Sequence, residues 1–207
     1  PHAVSAAAGV DAMAHAVESY VTKRRNDVSQ LYAREAWRRV ERSLEGHLAD
    51  PAKLGAAGDL LLGAHFGGAA IEASMLGAAH SLANPLTARF GVVHGAAVGA
   101  MLPHVVRFNG DDAEIRSLYA ELAKAAELDP AAESGAADRG NDHVSALAAR
   151  IEALLETARL PRRLAEHGVE DGHLADLAEG AAEQWTARFN PRQLVTGDFE
   201  RLYRAAL

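Results

Sequence analysis

Apolar residues recur at helical spacing through most of the chain, and the places where the spacing fails mark the joints between elements. An alanine-rich run over 5–22 carries Val10, Met13, Val17 and Tyr20, with Ser5 as its N-cap candidate. The polar stretch 24–27 interrupts it. A second helix is predicted over 28–48, with Asp27 as N-cap and Gln30 at the third position of a capping box. Its apolar positions Leu31, Ala36, Val40 and Leu44 form one stripe, the mark of a helix packed on one side.

After Asp50-Pro51, residues 53–81 are almost all small or apolar, with only Asp59 and Glu72 charged beyond Lys53. A helix apolar on every side is expected to be buried. Its interior glycines each cost up to about 1 kcal/mol against alanine, which is tolerated where a neighbour approaches closely. Gly91, Gly95 and Gly99 repeat at every fourth position of the next segment, so the two segments are expected to cross backbone to backbone. Pro85 should block helix continuation, and Pro103 should kink or end the segment after His94. Residues 112–128 form an amphipathic helix, with Ile115, Leu118, Leu122 and Ala125 on one stripe. Residues 129–142 read as a surface loop, and three more helices are predicted over 143–160, 171–187 and 196–206. No alternation marks a strand.

Composition sharpens this picture. Nearly half of the 207 residues are apolar and only 5% are aromatic, an alanine-rich balance that favours helix over sheet. The fold class expected is therefore all-α, a multi-helix arrangement forming a single domain over 1–207. A formal charge of −7 argues against a non-specific nucleic-acid binder. The basic runs Lys23-Arg24-Arg25 and Arg38-Arg39 then read as solvated helix faces. No apolar run approaches the roughly 18–20 residues of a bilayer span and no signal peptide is evident, so a cytoplasmic chain with no membrane partner is expected. The chain opens on Pro1 and not on Met, as a fragment or a processed product would.

Without cysteine, any metal site must use His, Asp or Glu. Asp11 and His15 stand at i and i+4, on one helix face. His80 and His94 stand fourteen residues apart around Asn84-Pro85. One carboxylate and three imidazoles suit Fe(II) or Zn(II) better than Mg(II) or Ca(II). The bland alternative is a chance Asp/His pair and a core histidine bonded to a carbonyl; the residues alone leave both open. His104 is ten residues past His94, about 15 Å along a helix, and is too far to share an ion. His65 and His47 are expected to be structural. Glu18, a turn past His15, is either a supporting hydrogen-bond partner or a plain exposed carboxylate.

Several ordered motifs carry a family resemblance. Gly9-Val10-Asp11-Ala12-Met13-Ala14-His15-Ala16-Val17-Glu18-Ser19-Tyr20 resembles the opening of the helical domain of iron-containing (group III) alcohol dehydrogenases, a dehydroquinate-synthase-like fold. Ala79-His80, Val93-His94-Gly95 and Leu102-Pro103-His104 through Asn109 are similar to that family's later metal-binding segments. Asn190-Pro191-Arg192 and residues 199–206 resemble its closing helices. The resemblance implies a metal held by Asp11, His15, His80 and His94. The ion would act as a Lewis acid on an alcohol or aldehyde oxygen, with hydride passing to or from NAD(P). It further implies a small alcohol or aldehyde substrate and a homodimer or higher homo-oligomer.

The sequence departs from the family in two respects. Asn84 stands where many members carry a further histidine near substrate and nicotinamide, and an amide does not titrate near neutrality. No Gly-x-Gly-x-x-Gly follows a strand, so NAD(P) binding is assigned to an N-terminal α/β domain expected to be absent from this chain. Maleylacetate-reductase-like and glycerol-dehydrogenase-like relatives differ in ligand set, so the complete Asp/His/His/His pattern argues against them. A catalytically silent metal-binding or oligomerisation module is the rival from outside enzymology.

Overall fold

The computed structural model describes residues 1–128 and 139–207, with nothing stated of side chains over 139–142. Among the described residues there are nine α-helices and no strand, as the all-α reading expects. They are α1 (His2–Val21), α2 (Asp27–Ala49), α3 (Leu54–Ala73), α4 (Ala78–Phe90), α5 (His94–Gly110), α6 (Ala113–Ala125), α7 (Arg139–Thr157), α8 (Leu174–Ala182) and α9 (Thr196–Ala206). Most of the predicted loop 129–142 lies outside the described residues, and its last part begins α7.

Helix α5 touches α1, α4, α6, α7 and α9, and α1 touches α2, α3, α5 and α6. Alanine makes that possible: Ala6, Ala14 and Ala16 are fully buried beside Val10, Met13 and Val17, and short side chains let neighbouring backbones come close. The predicted start at Ser5 is late, because the Ser5 N–H already bonds the Pro1 carbonyl at 3.1 Å. On α2 the N-cap is Asn26 and not Asp27. Its side chain accepts from Val28 and Ser29, and the Ser29 hydroxyl, in place of Gln30, closes the capping box. The buried stripe of α2 centres on Trp37, whose indole N–H donates to the Leu122 carbonyl of α6 at 2.9 Å.

Residues 53–81 are not one helix. The chain leaves helical geometry at Ser74 and resumes at Ala78, so His80 lies in the first turn of α4 and not inside a long apolar rod. Nor is α3 buried all round. Only Leu60, Gly63, Gly67 and Ala70 are buried, while Leu54 and Leu61 are largely exposed. With 20 residues and a mean hydropathy of 1.3, α3 is long and apolar enough by length and composition to cross a membrane, contrary to the expectation. Its Asp59 nonetheless pairs with Arg39 and Arg42 of α2.

Both glycine-spaced segments make close crossings, but not with each other. Gly63 meets α2 and Gly67 meets α1, whereas Gly95 lies against the Ala7 carbonyl of α1 and Gly99 against Val10. Neither proline ends its helix: α4 runs through Pro85 to Phe90 and α5 through Pro103 to Gly110. Proline removes one backbone donor and crowds the preceding turn, and the tertiary frame absorbs that cost here. Gly91 closes α4 in the left-handed region (φ +66°), where a side chain would be strained. The predicted helix 171–187 divides into a short 3-10 turn (Asp171–His173), α8 and a second 3-10 turn (Trp185–Phe189).

Candidate metal centre

Three helices deliver four side chains to one place. Asp11 and His15 project from one face of α1, His80 comes from the first turn of α4, and His94 is the first residue of α5. The Asp11 carboxylate is the common neighbour. Its Oδ2 lies 3.4 Å from His15 Nε2, and its Oδ1 lies 3.4 Å from His80 Nε2 and 3.6 Å from His94 Nε2. Ligand atoms of Asp11, His15 and His80 all fall within 4.8 Å of one another. The His15 and His80 rings stack at 5.1 Å, and the His80 and His94 rings lie 5.4 Å apart. Exposure grades across the site: the His80 side chain is 5% exposed and that of His94 is 40%, so the cluster has a closed floor and an open side.

Glu18 forms that floor. It is buried, which settles the choice left open by the sequence in favour of a supporting partner. Its Oε2 sits 2.6 Å from His80 Nδ1, and its Oε1 accepts the Ala79 N–H at 2.6 Å. With Nδ1 engaged, His80 presents Nε2 to Asp11. Yet no aligned hydrogen bond joins the two, and both Asp11 Oδ1 and His80 Nε2 are buried without a partner among the described residues. Two orphaned atoms facing one another are unfavourable unless a proton or a metal cation stands between them. Asp, His, His and His are also a donor set suited to a borderline divalent ion. The residues present fit the group that the resemblance implies.

The protonation pattern has the same origin. Burial would lower the His80 pKa, but the carboxylates of Asp11 and Glu18 outweigh it and push the imidazole up to about 9. Burial lowers His15, only partly countered by Asp11, and lowers His94 in the same way. Asp11 is raised by burial but held below its ordinary value by His80 and the other imidazoles.

The remaining histidines stand apart. His65 lies exposed on α3 beside Phe66. His47 lines an apolar groove with Val4 and Leu60, and His104 lines a separate cavity of about 440 Å³ with Glu152 and Arg204. Asn84, one turn after His80, donates to Gln184 Oε1 at 2.9 Å. Arg192 joins helix ends as its position suggests, donating to the Phe108 carbonyl at 2.5 Å and to Asp111 at 2.8 Å, with its guanidinium over the Phe108 ring. Sequence reasoning missed Asn109 and Asn190, a buried amide pair behind the N-terminus of α4. Both lay in motifs that carried the resemblance, but nothing in the sequence gave either a role.

The chain is 29% identical over its whole length to a lactaldehyde reductase of Escherichia coli (strain K12), covering 52% of that protein. It is 33% identical over its whole length to maleylacetate reductase 2 of Cupriavidus pinatubonensis (strain JMP 134 / LMG 1197), covering 53%. A solved structure of 1,3-propanediol oxidoreductase superposes on the entire chain with a TM-score of 0.90 at 28% identity, again over 52% of its length. The chain thus spans about half the length of the curated relatives it matches. The model of the Fe-containing alcohol dehydrogenase family, C-terminal, matches residues 5–207, and the chain belongs to that family.

Proposed function

We propose that this chain is the metal-holding part of an oxidoreductase that interconverts a small alcohol and its aldehyde. The observation that carries the proposal is the clustering of Asp11, His15 and His80, with His94 3.6 Å from Asp11, around two buried atoms, Asp11 Oδ1 and His80 Nε2, that have no partner among the described residues. Asp11, His15, His80 and His94 would hold Fe(II) or Zn(II). Such an ion supplies Lewis acidity toward an alcohol or aldehyde oxygen.

The chain's own residues do the positioning. Glu18 Oε2 holds the Nδ1 proton of His80, which leaves Nε2 free as a donor atom. Asp11 carries the negative charge that keeps a dication in place against three neutral imidazoles. The half-exposed His94 side is where a small substrate would enter. Asn84, committed to Gln184, orients polar groups beside the site without exchanging a proton. Hydride exchange with NAD(P) is assigned to the portion of the relatives' length that this chain does not span.

The test is anaerobic titration with Fe(II) and Zn(II) of the chain and of its His94→Ala and Asp11→Asn variants. One tightly held ion per chain, weakened in both variants, is expected. Failure of the unaltered chain to take either ion would refute the metal assignment. Joined to the remainder of the protein, the site is expected to support NAD(P)-linked aldehyde reduction that a chelator abolishes. The 33% likeness to a maleylacetate reductase supports a second reading, reduction of an unsaturated ketoacid. Comparing kcat/KM for an aldehyde and for maleylacetate decides between them.

A further inference from the structure

Helix α4 carries His80 in its first turn, yet no side chain in its own approach caps it. The caps come from far away in sequence. The Ala79 N–H is taken by Glu18 of α1 at 2.6 Å, and the Ala78 N–H by Asn190 Oδ1 at 3.3 Å. Asn190 is itself locked. Its Nδ2 donates to Asn109 Oδ1 and to the Arg192 carbonyl, both at 2.7 Å, while its Oδ1 also accepts from Asn109 Nδ2 at 3.1 Å. Asn109 completes the chain by donating to the Tyr119 hydroxyl at 3.2 Å. Both amides are 1% exposed, and Gly77 is squeezed between Asn190 and Glu18, where a Cβ would lie 3.1 Å from Asn190 Oδ1 and from Glu18 Oε1.

We propose that Glu18 and the Asn109–Asn190 amide pair form one positioning unit, which sets both the tautomer and the place of His80. The inference rests on the metal assignment above and adds the residues that act through His80. The carboxylate matters for a chemical reason. Glu18 has only acceptors, so Nδ1 must carry a proton, and in the neutral imidazole that could hold a metal Nε2 carries the lone pair. In Glu18→Gln, Oε1 still takes the Ala79 N–H, and the new NH2 group faces Nδ1 as a donor. The imidazole must then turn into the other tautomer, whose Nε2–H points at Asp11 and excludes an ion. A nearly isosteric change of one atom therefore removes a donor without removing a cap. Asn190→Ala acts differently: it leaves the Ala78 N–H buried and unpaired and lets the first turn of α4 drift.

Two readouts on the 207-residue chain separate this inference from the metal assignment. The first uses metal-free protein above pH 9, where His80 is neutral: the His80 Nδ1–H gives a downfield, hydrogen-bonded proton signal in 15N-edited NMR, expected in the unaltered chain and absent in Glu18→Gln. The second is Zn(II) affinity by competition with a chelating dye, expected to fall 10- to 100-fold in Glu18→Gln with thermal unfolding of the metal-free chain little changed. Asn190→Ala should also bind at least several-fold more weakly, with the Nδ1–H signal shifted upfield. A Nδ1–H signal that survives in Glu18→Gln, or Zn(II) affinity equal to that of the unaltered chain in either variant, overturns the inference. Failure of the unaltered chain to bind Zn(II) overturns the metal assignment instead, and the Nδ1–H signal still decides whether Glu18 sets the tautomer.

Discussion

Gly95→Ala is the sharpest test of how packing sets the site. A Cβ on Gly95 would lie 2.0 Å from the Ala7 carbonyl oxygen and 2.7 Å from its carbon, where real Cβ atoms essentially never come closer than 3.0 Å. Both clashing atoms are backbone, so no rotamer relieves them, and α5 must retreat from α1 by about 1 Å. Overpacking of this kind costs about 3 kcal/mol at the upper end of its usual range. Alanine's better helix propensity returns about 1 kcal/mol. A net loss near 2 kcal/mol corresponds to about 4–8 °C in Tm for a chain of this size. The site should suffer more than the fold. His94 adjoins Gly95, and a 1 Å retreat would widen its 3.6 Å approach to Asp11 to roughly 4.6 Å. Ligand atoms about 2.0–2.1 Å from one Zn(II) must lie close together, so a wider His94 approach weakens its hold on the ion. Thermal unfolding followed by circular dichroism, with a parallel Zn(II) titration, measures both effects. A Tm within about 1 °C of the unaltered chain together with undiminished Zn(II) affinity would refute the reasoning.

The pH dependence of the metal-free chain should peak near the ordinary histidine pKa. His80 is raised from 6.5 to about 9, so its contribution, on the order of 3 kcal/mol, is fully present below pH 6.5 and is lost as pH rises through about 9. His15 and His94 are lowered, so theirs is present above pH 6.5 and is lost as pH falls through their folded values. Urea midpoints that rise steadily from pH 6.5 to pH 9 would contradict this. Tyr203→Phe removes a buried 2.6 Å hydrogen bond to the Leu82 carbonyl and should cost about 1–2 kcal/mol in urea unfolding. His65→Ala, on the exposed face of α3, should leave Zn(II) affinity unchanged and shift stability by no more than about 0.5 kcal/mol. Loss of Zn(II) affinity in that variant would bring His65 into the site.

The sequence by itself determined the helical class, the Ala36, Val40 and Leu44 part of the α2 stripe (Leu31, also assigned to it, is exposed), and the pairing of Asp11 with His15. Each of these depends on spacing within one element, and a 3.6-residue period fixes which side chains share a face. His80 and His94 were marked as ligands by the family resemblance and not by spacing, because residues on separate elements share no helical period. Sequence reasoning misplaced the joint: Pro85 and Pro103 lie inside helices, the joint between His80 and His94 falls at 91–93, and a further break falls at 74–77. A proline states a local cost, whereas helix continuation depends on whether the surrounding packing absorbs it. The partners of the glycines were illegible for a related reason. Spacing shows that a backbone approaches closely, but only the fold chooses between α1 and another helix. The role of Glu18 was equally hidden, since a carboxylate at 18 looks solvated until α4 closes over it. The tertiary structure alone decided that four donors meet and that Asp11 Oδ1 and His80 Nε2 face each other unpaired. It did so because residues up to 83 positions apart in sequence converge only when Gly95 lets α5 pack at backbone distance on α1.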